Sequence, residues 1–307
     1  MLMTQKPVVL ITGAVSLLGK YRIRELYKSY TLVITAHHIS FDIEFRNLVS
    51  YIEQTDITKK SEVERIISKY QPRYMVHLAS LSNIDYCEKH PHEAYRVNLE
   101  SVQNIVEMIK NIPVHFIFTS SSMVFSGDNA PYTEADIPHP INVYGKTKSA
   151  AEKIIQNLLP DKSTIIRSNT LFGWQPKRAR SNDMNYYLNE INNGRPLNLT
   201  NRRFFNPLSA DTAARIIRRI IDNNSKGIFH IGGNYRITRF EFVKKLIEAF
   251  DLKPLTSVHA VPNSFFPAFE SRPIDTTLNI EKMTWELRIN PPTLLEQLQF
   301  FKKEKLS

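Results

Sequence analysis

Short apolar runs alternate with helix-like patterns over the first two-thirds of the chain. The runs are four to eight residues long and rich in β-branched side chains, which is typical of buried strands. We predict strands over residues 8–12, 31–35, 73–79, 114–120, 164–167 and 227–231.

Helical spacing of apolar side chains fills the segments between these strands. Val102, Ile105, Val106 and Ile109 follow the i, i+3, i+4, i+7 spacing of a helix that faces a core. A second helix is predicted from Tyr144 to Leu159. Strands that alternate with helices indicate a parallel sheet covered on both faces. The predicted fold class is therefore α/β, a Rossmann-type doubly wound parallel sheet.

Two sequences have the pattern of a helix-initiating capping box, in which Ser or Thr is followed three residues later by Glu. One begins at Ser61 and the other at Thr238. We expect a helix to start directly after each of them.

The regular alternation breaks between about residues 171 and 206, where Pro, Gly, Asn and Arg collect. Beyond Pro254 the chain is rich in Pro and Phe. We predict a Rossmann domain over residues 1–170 plus about 207–233. A smaller α/β substrate lobe, largely C-terminal, would comprise about residues 171–206 plus 234–307.

Length and composition are those of a globular protein. The 307 residues suffice for about two domains, and 42% are hydrophobic and 23% charged, which argues against intrinsic disorder. The single cysteine, Cys87, cannot pair within the chain, which suggests a reducing compartment. No leader pattern and no apolar run long enough for a membrane helix appear, so we expect a cytoplasmic protein.

The net charge of +10 permits nucleic acid, an anionic membrane or a phosphate-bearing small molecule as partner. No interleaving of aromatic and basic residues and no helix-turn-helix pattern appears, so we expect no nucleic-acid partner. We expect no membrane partner either, and no metal site, because the adjacent His37 and His38 lack a visible third ligand.

The segment after the first predicted strand has the spacing of a phosphate-binding turn. Gly13 and Gly19 fit a Gly-x-x-Gly-x-x-Gly pattern in which Ser16 takes the middle position. Such glycines let the backbone turn sharply and let a pyrophosphate approach the free N–H groups of a helix start. The candidate cofactor contacts here are Gly13, Ser16, Leu17, Leu18 and Gly19. A tight turn that binds nothing is the alternative.

The end of the second strand bears on the choice of dinucleotide. An Asp or Glu there would bind the ribose hydroxyls of NAD, but the sequence has Ala36 followed by His37 and His38. The missing carboxylate favours NADP, with NAD still possible. Exposed loop histidines without a ligand are the alternative. Asp56 could bind the adenine amine or cap the helix that follows it.

Tyr144 and Lys148 form a Tyr-x-x-x-Lys pair near the start of a predicted helix, after a strand that ends in a serine run. Positions i and i+4 share a helix face, so the two side chains can lie together. An ammonium beside a phenol, near a nicotinamide ring, favours the phenolate and would lower the tyrosine pKa towards neutrality. A serine hydroxyl at the strand end could stabilise charge on a substrate oxygen.

These motifs together resemble the extended short-chain dehydrogenase/reductases. The resemblance is carried by residues 12–19, by His77-Leu78-Ala79-Ser80, by Val97-Asn98-Leu99, and by Ser121 with the Tyr144–Lys148 pair. Within that superfamily, residues 120–127, 131–134 and 143–148 look most like dTDP-4-dehydrorhamnose reductase and its relatives. Residues 205–208 and 272–278 extend the similarity into the second lobe.

The resemblance implies Ser121, Tyr144 and Lys148 as the catalytic set. It also implies a nucleotide-sugar substrate, a possible homodimer, and cofactor contacts from Ala79, Ser80, Asn98, Tyr144 and Lys148 together with the glycine turn. Asn98 would hold the local backbone or a proton-relay water. Two departures are Ser16, in place of glycine, and Ser122-Met123, where the rhamnose enzyme has Asp-Tyr.

Substrate contacts are expected from Ser122, Asn206 and Arg272. Arginine can hold a diphosphate with two parallel hydrogen bonds, and Arg272 lies in the motif that resembles the family's substrate lobe. Further basic candidates are Lys177, Arg178, Arg180, Arg202 and Arg203. We expect Arg167 to form a buried structural pair, and His77 and His230 to be satisfied core groups.

Three functions are consistent with this sequence. The first is an NAD(P)H-dependent reductase of a keto-sugar nucleotide, working in carbohydrate biosynthesis. The second is a nucleotide-sugar epimerase or dehydratase that holds NAD tightly. The third is a non-catalytic regulatory subunit similar to the β subunit of methionine adenosyltransferase, which resembles the same family.

Overall fold

The computed structural model describes residues 6–37, 43–174, 182–253, 257–266 and 272–306. Its strands in chain order are β1 (Val8–Thr12), β2 (Thr31–Ala36), β3 (Tyr51–Gln54), β4 (Tyr74–His77), β5 (His115–Ser121), β6 (Ser163–Ser168), β7 (Leu171–Phe172), β8 (Leu197–Thr200), β9 (Phe204–Phe205), β10 (Leu208–Ser209), β11 (Gly227–Ile231), β12 (Ile237–Thr238) and β13 (Val258–Val261).

The helices in chain order are α1 (Leu17–Leu26), α2 (Ile43–Arg46), α3 (Lys60–Tyr70), α4 (Ile84–Lys89), α5 (Pro91–Tyr95), α6 (Ser101–Ile109), α7 (Val143–Leu158), α8 (Asp183–Asn192), α9 (Ala210–Asn223), α10 (Arg239–Ala249), α11 (Glu281–Leu287) and α12 (Leu294–Leu306). A π-helical turn over Arg96–Glu100 joins α5 to α6.

Seven strands form one sheet in the order β11-β6-β5-β4-β1-β2-β3, and every neighbouring pair is parallel. All carboxyl ends therefore lie along one edge, where ligands bind in doubly wound folds. The predicted α/β class is confirmed. The strand predicted over residues 73–79 is shorter, because residues 78–80 already belong to the loop that follows β4.

One of the two predicted capping boxes is confirmed. The Thr238 hydroxyl accepts a hydrogen bond from the Glu241 amide, and the Glu241 carboxylate accepts one from the Thr238 amide. The box predicted at Ser61 is wrong, because α3 begins at Lys60 and Lys59 caps it without a side-chain bond.

Two apolar clusters cover the two faces of the sheet. On one face, side chains from α3, α6 and α7 pack against β4, β5 and their neighbours, and Phe116 and Phe118 are fully buried there. On the other face, α1 and α9 pack together, and their cluster continues without a break into α8, α10 and α12.

The C-terminal part of the chain builds onto this second cluster. Strand β8 pairs with β13 and packs against α8 and α10. The rings of Phe172, Phe242 and Phe301 contact one another edge to face, with centroids 5.4 and 5.8 Å apart. These rings connect the helices that follow β7 to the sheet. Within the described part of the chain, no helix combines the length and the apolar character needed to cross a bilayer.

Candidate functional site

The turn between β1 and α1 lies at the carboxyl edge of the sheet, and its two glycines are needed for close packing. Gly13 has φ +67°, and a Cβ there would lie 2.6 Å from the amide nitrogen of Ala79. A Cβ on Gly19 would lie 2.1 Å from the carbonyl oxygen of Ala14. Both contacts are with backbone atoms, which cannot move aside, so larger residues would open the turn.

Ser16 is the N-cap of α1, and its hydroxyl oxygen accepts a hydrogen bond of 3.2 Å from the Gly19 amide. The hydroxyl hydrogen is still available for donation. The N–H groups of Leu17 and Leu18 begin the helix, where no intrahelical acceptor exists. No acidic residue lies in this first turn. The helix start therefore suits an anionic phosphate, and a serine in place of the middle glycine is compatible with it.

His37, directly after β2, and Asp56, shortly after β3, are neighbours at the carboxyl edge of the sheet. His37 Nε2 lies 4.0 Å from an Asp56 carboxylate oxygen. The other carboxylate oxygen accepts bonds from the Thr58 hydroxyl at 2.7 Å and the Thr58 amide at 3.0 Å, and these contacts lower the pKa of Asp56. Asp56 thus shapes the turn before α3. His38 lies outside the described residues.

Ser121, Tyr144 and Lys148 are brought together at the carboxyl end of β5. Tyr144 and Lys148 lie in the first half of α7, and the side chains of Ser121 and Ser80 are close enough to the Tyr144 hydroxyl to influence its pKa. Gly145 permits this approach, because a Cβ there would lie 2.1 Å from the Met123 carbonyl oxygen.

Burial governs the protonation of this pair. It raises the pKa of Tyr144 to about 12, although the nearby side chains of Ser121 and Ser80 act in the opposite direction. It lowers the pKa of Lys148 to about 7, against the favourable charge of Glu152. In the protein alone, desolvation outweighs the other contributions. The expected lowering of the tyrosine pKa also requires the nicotinamide ring, so it stays a prediction.

Lys148 is 2% exposed, and its Nζ lies 4.3 Å from the centroid of the Phe118 ring. A cation over an aromatic face is stabilised electrostatically. This contact fixes the amine above β5, on the face of the sheet that α7 covers.

Asn98 and Ser80 hold the loop after β4 against α7. The Asn98 side-chain oxygen accepts bonds from the Ser80 hydroxyl and the Leu81 amide, at 3.0 and 2.8 Å. Its amide nitrogen donates to the Leu81 carbonyl and to the Thr147 hydroxyl, at 3.0 and 3.2 Å. These four bonds use the full capacity of a side-chain amide. Of the two roles expected for Asn98, the structure favours holding the backbone.

A buried ion pair lies one turn further along α7. Arg167 on β6 donates to both carboxylate oxygens of Glu152, with distances of 2.8 to 3.2 Å. Glu152 also accepts a hydrogen bond from the Ser120 hydroxyl, and Arg167 contacts His230 Nε2 at 3.3 Å. The expected buried pair of Arg167 is confirmed. His230 is satisfied as well, because its Nδ1 contacts the Tyr132 carbonyl oxygen at 3.0 Å.

The three expected substrate residues lie in different environments. Ser122 is 2% exposed in the turn after β5. Asn206 is 1% exposed, and its side chain bonds Asn169, Gly233 and Leu278. These bonds use both donors and both acceptor positions of the Asn206 amide. Asn206 therefore joins segments that are distant in sequence, and it is not among the proposed substrate contacts.

Arg272 is a partly accessible basic candidate. Its side chain is 21% exposed, and one guanidinium nitrogen donates to both carboxylate oxygens of Asp85, at 2.8 and 2.7 Å. Arg203 donates to the Arg272 carbonyl at 2.7 Å, and burial and the Arg272 charge lower the Arg203 pKa. Arg202 is exposed. Lys177, Arg178 and Arg180 lie outside the described residues.

Sequence reasoning missed two parts of this site. The first is Glu152, which lies four residues after Lys148 on α7, so helical spacing was a usable signal that both side chains share one face of this helix. The second is the hydrogen bond between Asn98, in the π-helical turn, and Thr147 on α7. The residues next to either of them in sequence give no signal of it. Across the ranges that the structure describes, no group of three or more His, Cys, Asp or Glu side chains could hold a metal ion.

Comparison with known proteins places this site in a family. The family described as RmlD substrate binding domain matches residues 7–306. Methionine adenosyltransferase 2 subunit beta of Bos taurus is 31% identical over 253 residues, covering 80% of this chain and 72% of that protein.

Two solved structures are similar over nearly the whole chain. One is a hypothetical dTDP-4-dehydrorhamnose reductase from Sulfolobus tokodaii, which is 28% identical with a TM-score of 0.80. The match covers 94% of this chain and 98% of that protein. The other is dTDP-4-dehydrorhamnose reductase from Bacillus anthracis in complex with NADP, which is 24% identical with a TM-score of 0.85. The match covers 98% of this chain and 100% of that protein. The chain therefore belongs to the RmlD substrate binding domain family, an extended short-chain dehydrogenase/reductase-like family.

Proposed function

We propose that this protein is an NADPH-dependent reductase of a keto-sugar nucleotide, with Tyr144 as its proton donor. The carrying observation is that Tyr144, one helical turn before Lys148 on α7, has the side chains of Ser121 and Ser80 close to its hydroxyl. A reductase needs a proton donor of this kind beside the carbonyl oxygen that it reduces.

The cofactor would bind along the carboxyl edge of the sheet. A bound nicotinamide supplies the hydride, and the protein supplies binding and orientation. The first N–H groups of α1 and the Ser16 hydroxyl would hold the pyrophosphate, while Ala79 and Ser80 line the opposite side. Because β2 ends in Ala36, followed by His37, the strand has no carboxylate at its end to bind the ribose hydroxyls of NAD or to repel a 2′-phosphate. This supports NADP over NAD.

The proton chemistry follows from the protonation states of the site. Because the pKa of Tyr144 is about 12, its phenol carries a proton at pH 7 and can donate it to the oxygen of a ketone. Ser121 lies beside that hydroxyl and would hydrogen-bond the same oxygen, which stabilises the charge that develops there. Lys148 supports the phenolate that remains after transfer.

The nucleotide diphosphate would be held by the second lobe. Arg272 offers a partly exposed guanidinium, which forms an ion pair with the half-exposed carboxylate of Asp85. A diphosphate could replace that carboxylate with stronger charge-assisted bonds. Since Ser122-Met123 replaces the Asp-Tyr of the rhamnose enzyme, the proposal names the substrate class and leaves the sugar open.

The test combines binding and turnover. Thermal unfolding of the full chain with NAD(H), NADP(H) and a panel of keto-sugar nucleotides should show stabilisation by NADPH, and NADPH oxidation should follow with one sugar. Tyr144→Phe should abolish turnover and leave the NADPH affinity unchanged. Tyr51→Phe, at an exposed tyrosine on β3, is the matched control and should keep full activity. Equal activity of Tyr144→Phe and the wild type would refute the assignment.

The similarity to methionine adenosyltransferase 2 subunit beta supports one other function, a regulatory subunit without turnover. Under that alternative, NADPH could bind but no sugar nucleotide would be reduced, and a methionine adenosyltransferase would copurify with the tagged chain. An epimerase or dehydratase would instead retain NAD through gel filtration. Each outcome differs from the stoichiometric NADPH oxidation expected of the reductase.

A further inference from the structure

A row of polar side chains crosses the sheet on the face that α7 covers, next to the strand beneath that helix. Thr35 on β2, Thr12 on β1 and His77 on β4 are register partners, and His77 is in turn the partner of Phe118 on β5. Register partners in parallel strands point to the same face of the sheet. Phe118 is the ring beneath Lys148, so this polar row and the catalytic amine share one face.

His77 has one satisfied and one unsatisfied ring nitrogen. Its Nδ1 lies 2.9 Å from the Thr12 hydroxyl oxygen. Its Nε2 is buried and has no hydrogen-bond partner among the residues that the structure describes. The expectation that His77 is a satisfied core group therefore holds for one nitrogen only. A buried polar atom left without a partner costs about 1–3 kcal/mol, so an unpaired nitrogen here calls for an explanation.

The position of Lys148 offers an explanation for the unpaired nitrogen of His77. The rings of His77 and Phe118 are stacked, with centroids 6.1 Å apart and planes inclined by 18°, and Lys148 Nζ lies 4.3 Å from the Phe118 centroid. The lysine is close enough for its charge to lower the pKa of His77, which burial already lowers, to about 3. The imidazole is therefore neutral at pH 7, and it can offer a lone pair to a cation.

Asn98, the other polar side chain beside α7, offers no acceptor to the lysine. Both lone pairs of its carbonyl oxygen are used by Ser80 and Leu81. Nε2 of His77 is an unpaired acceptor on this face of the sheet; among the described residues the Thr35 hydroxyl, two strands away on β2, also lacks a partner.

We propose that His77 is a positioning residue for Lys148, whose ammonium hydrogen-bonds the Nε2 lone pair through one buried water. The proposal rests on the proposed reductase function, in which Lys148 must stay beside Tyr144. A polar contact beyond direct hydrogen-bond distance is commonly bridged in this way, and the water would gain the partners that a buried site requires. The arrangement assigns the imidazole hydrogen to Nδ1, which donates it to the Thr12 hydroxyl, because a hydrogen on Nε2 would face the ammonium.

Histidine ¹⁵N NMR of the full chain at pH 7 tests the geometry without any need for turnover. The His77 signals are identified by their loss in His77→Gln. The expected result is a neutral ring protonated on Nδ1, with an Nε2 resonance that shifts in Lys148→Met and stays in place in Lys153→Met, an exposed lysine of the same helix. A ring protonated on Nε2, or an Nε2 resonance that Lys148→Met does not move, would overturn the proposal.

Kinetics with NADPH and the sugar nucleotide found by the screen test the consequence. His77→Asn keeps an atom in reach of Thr12 but removes the acceptor at Nε2, whereas His77→Gln places an amide oxygen near the Nε2 position. We expect His77→Asn to lower kcat about tenfold, because the free energy of one hydrogen bond corresponds to about a tenfold change in rate. KM for the sugar nucleotide should be unchanged. His77→Gln should recover most of the rate.

His115→Asn is the control, since His115 is another buried histidine of this sheet, at the opposite end of β5. It should leave kcat unchanged. Equal rates for His77→Asn and His77→Gln would contradict the positioning role, even if the fold of both variants is intact. If no sugar nucleotide is reduced by the wild type, the reductase proposal fails, while the NMR result still decides the contact between His77 and Lys148.

Discussion

Replacing Lys148 by methionine should stabilise the fold, and the gain should shrink as the pH rises. Methionine has a similar length and no charge, so it fills the same space above Phe118. In the wild type, burial lowers the pKa of Lys148 from 10.5 to about 7. At about 1.4 kcal/mol per pKa unit, this corresponds to a cost of about 5 kcal/mol in unfolding free energy when the lysine is charged.

The pH dependence follows from the two pKa values. Below pH 7 the lysine is protonated in both the folded and the unfolded chain, so the folded protein bears the whole cost of burying the charge. Between pH 7 and 10.5 the unfolded chain binds more protons, so wild-type stability rises with pH relative to the variant. The advantage of Lys148→Met should be at most about 5 kcal/mol at pH 6.5 and about 2 kcal/mol at pH 9.

Urea unfolding at pH 6.5, 7.5 and 9, followed by fluorescence and circular dichroism, measures this difference. Lys153→Met is the matched control, because Lys153 is exposed on the same helix, and its effect should not change with pH. Loss of the contact between Lys148 and Phe118 offsets the gain by about 1–2 kcal/mol. A variant less stable than the wild type at pH 6.5, or an advantage that grows with pH, would refute the argument.

Two further predictions concern the charged pairs near the site. Glu152→Gln should destabilise the fold by about 3–5 kcal/mol in urea unfolding, because it leaves Arg167 buried without its counter-charge. A double variant that also carries Arg167→Met should recover part of this loss. No recovery would contradict the pairing. Arg272→Ala should raise KM for the sugar nucleotide about tenfold or more with an unchanged NADPH affinity, whereas Asp85→Asn, which removes only the partner carboxylate, should not weaken substrate binding.

The sheet and the glycine turn could be predicted because their signals are local. The strand Val8–Thr12 is apolar up to its last residue, and a close backbone approach needs glycine at the position of Gly13 itself. The placement of Tyr144 and Lys148 on one helix, a turn apart, followed equally from helical spacing. In each case the information lies within one element of secondary structure, or within one turn of the chain.

The remainder of the site depends on partners that are distant in sequence. Asn206 looked like a substrate ligand, but its bonds are with Asn169, Gly233 and Leu278, and no local pattern announces them. The capping box predicted at Ser61 is false because α3 already begins at Lys60, which places Ser61 inside the helix and not at its start. Polar residues serve ligand binding and internal bonding alike, and only the tertiary contacts distinguish these uses.

The tyrosine pKa shows the same limit for chemistry. The spacing predicts an ammonium on the helix face of the phenol and, with a nicotinamide ring nearby, a lower tyrosine pKa. In the chain alone, burial of both groups raises the pKa of Tyr144 and lowers that of Lys148. A phenol whose pKa lies above its ordinary value holds its proton more tightly and is a weaker donor than an exposed tyrosine. Donation to a ketone therefore depends on a charge beside the phenol that the chain alone does not supply, and the nicotinamide ring expected there is its source.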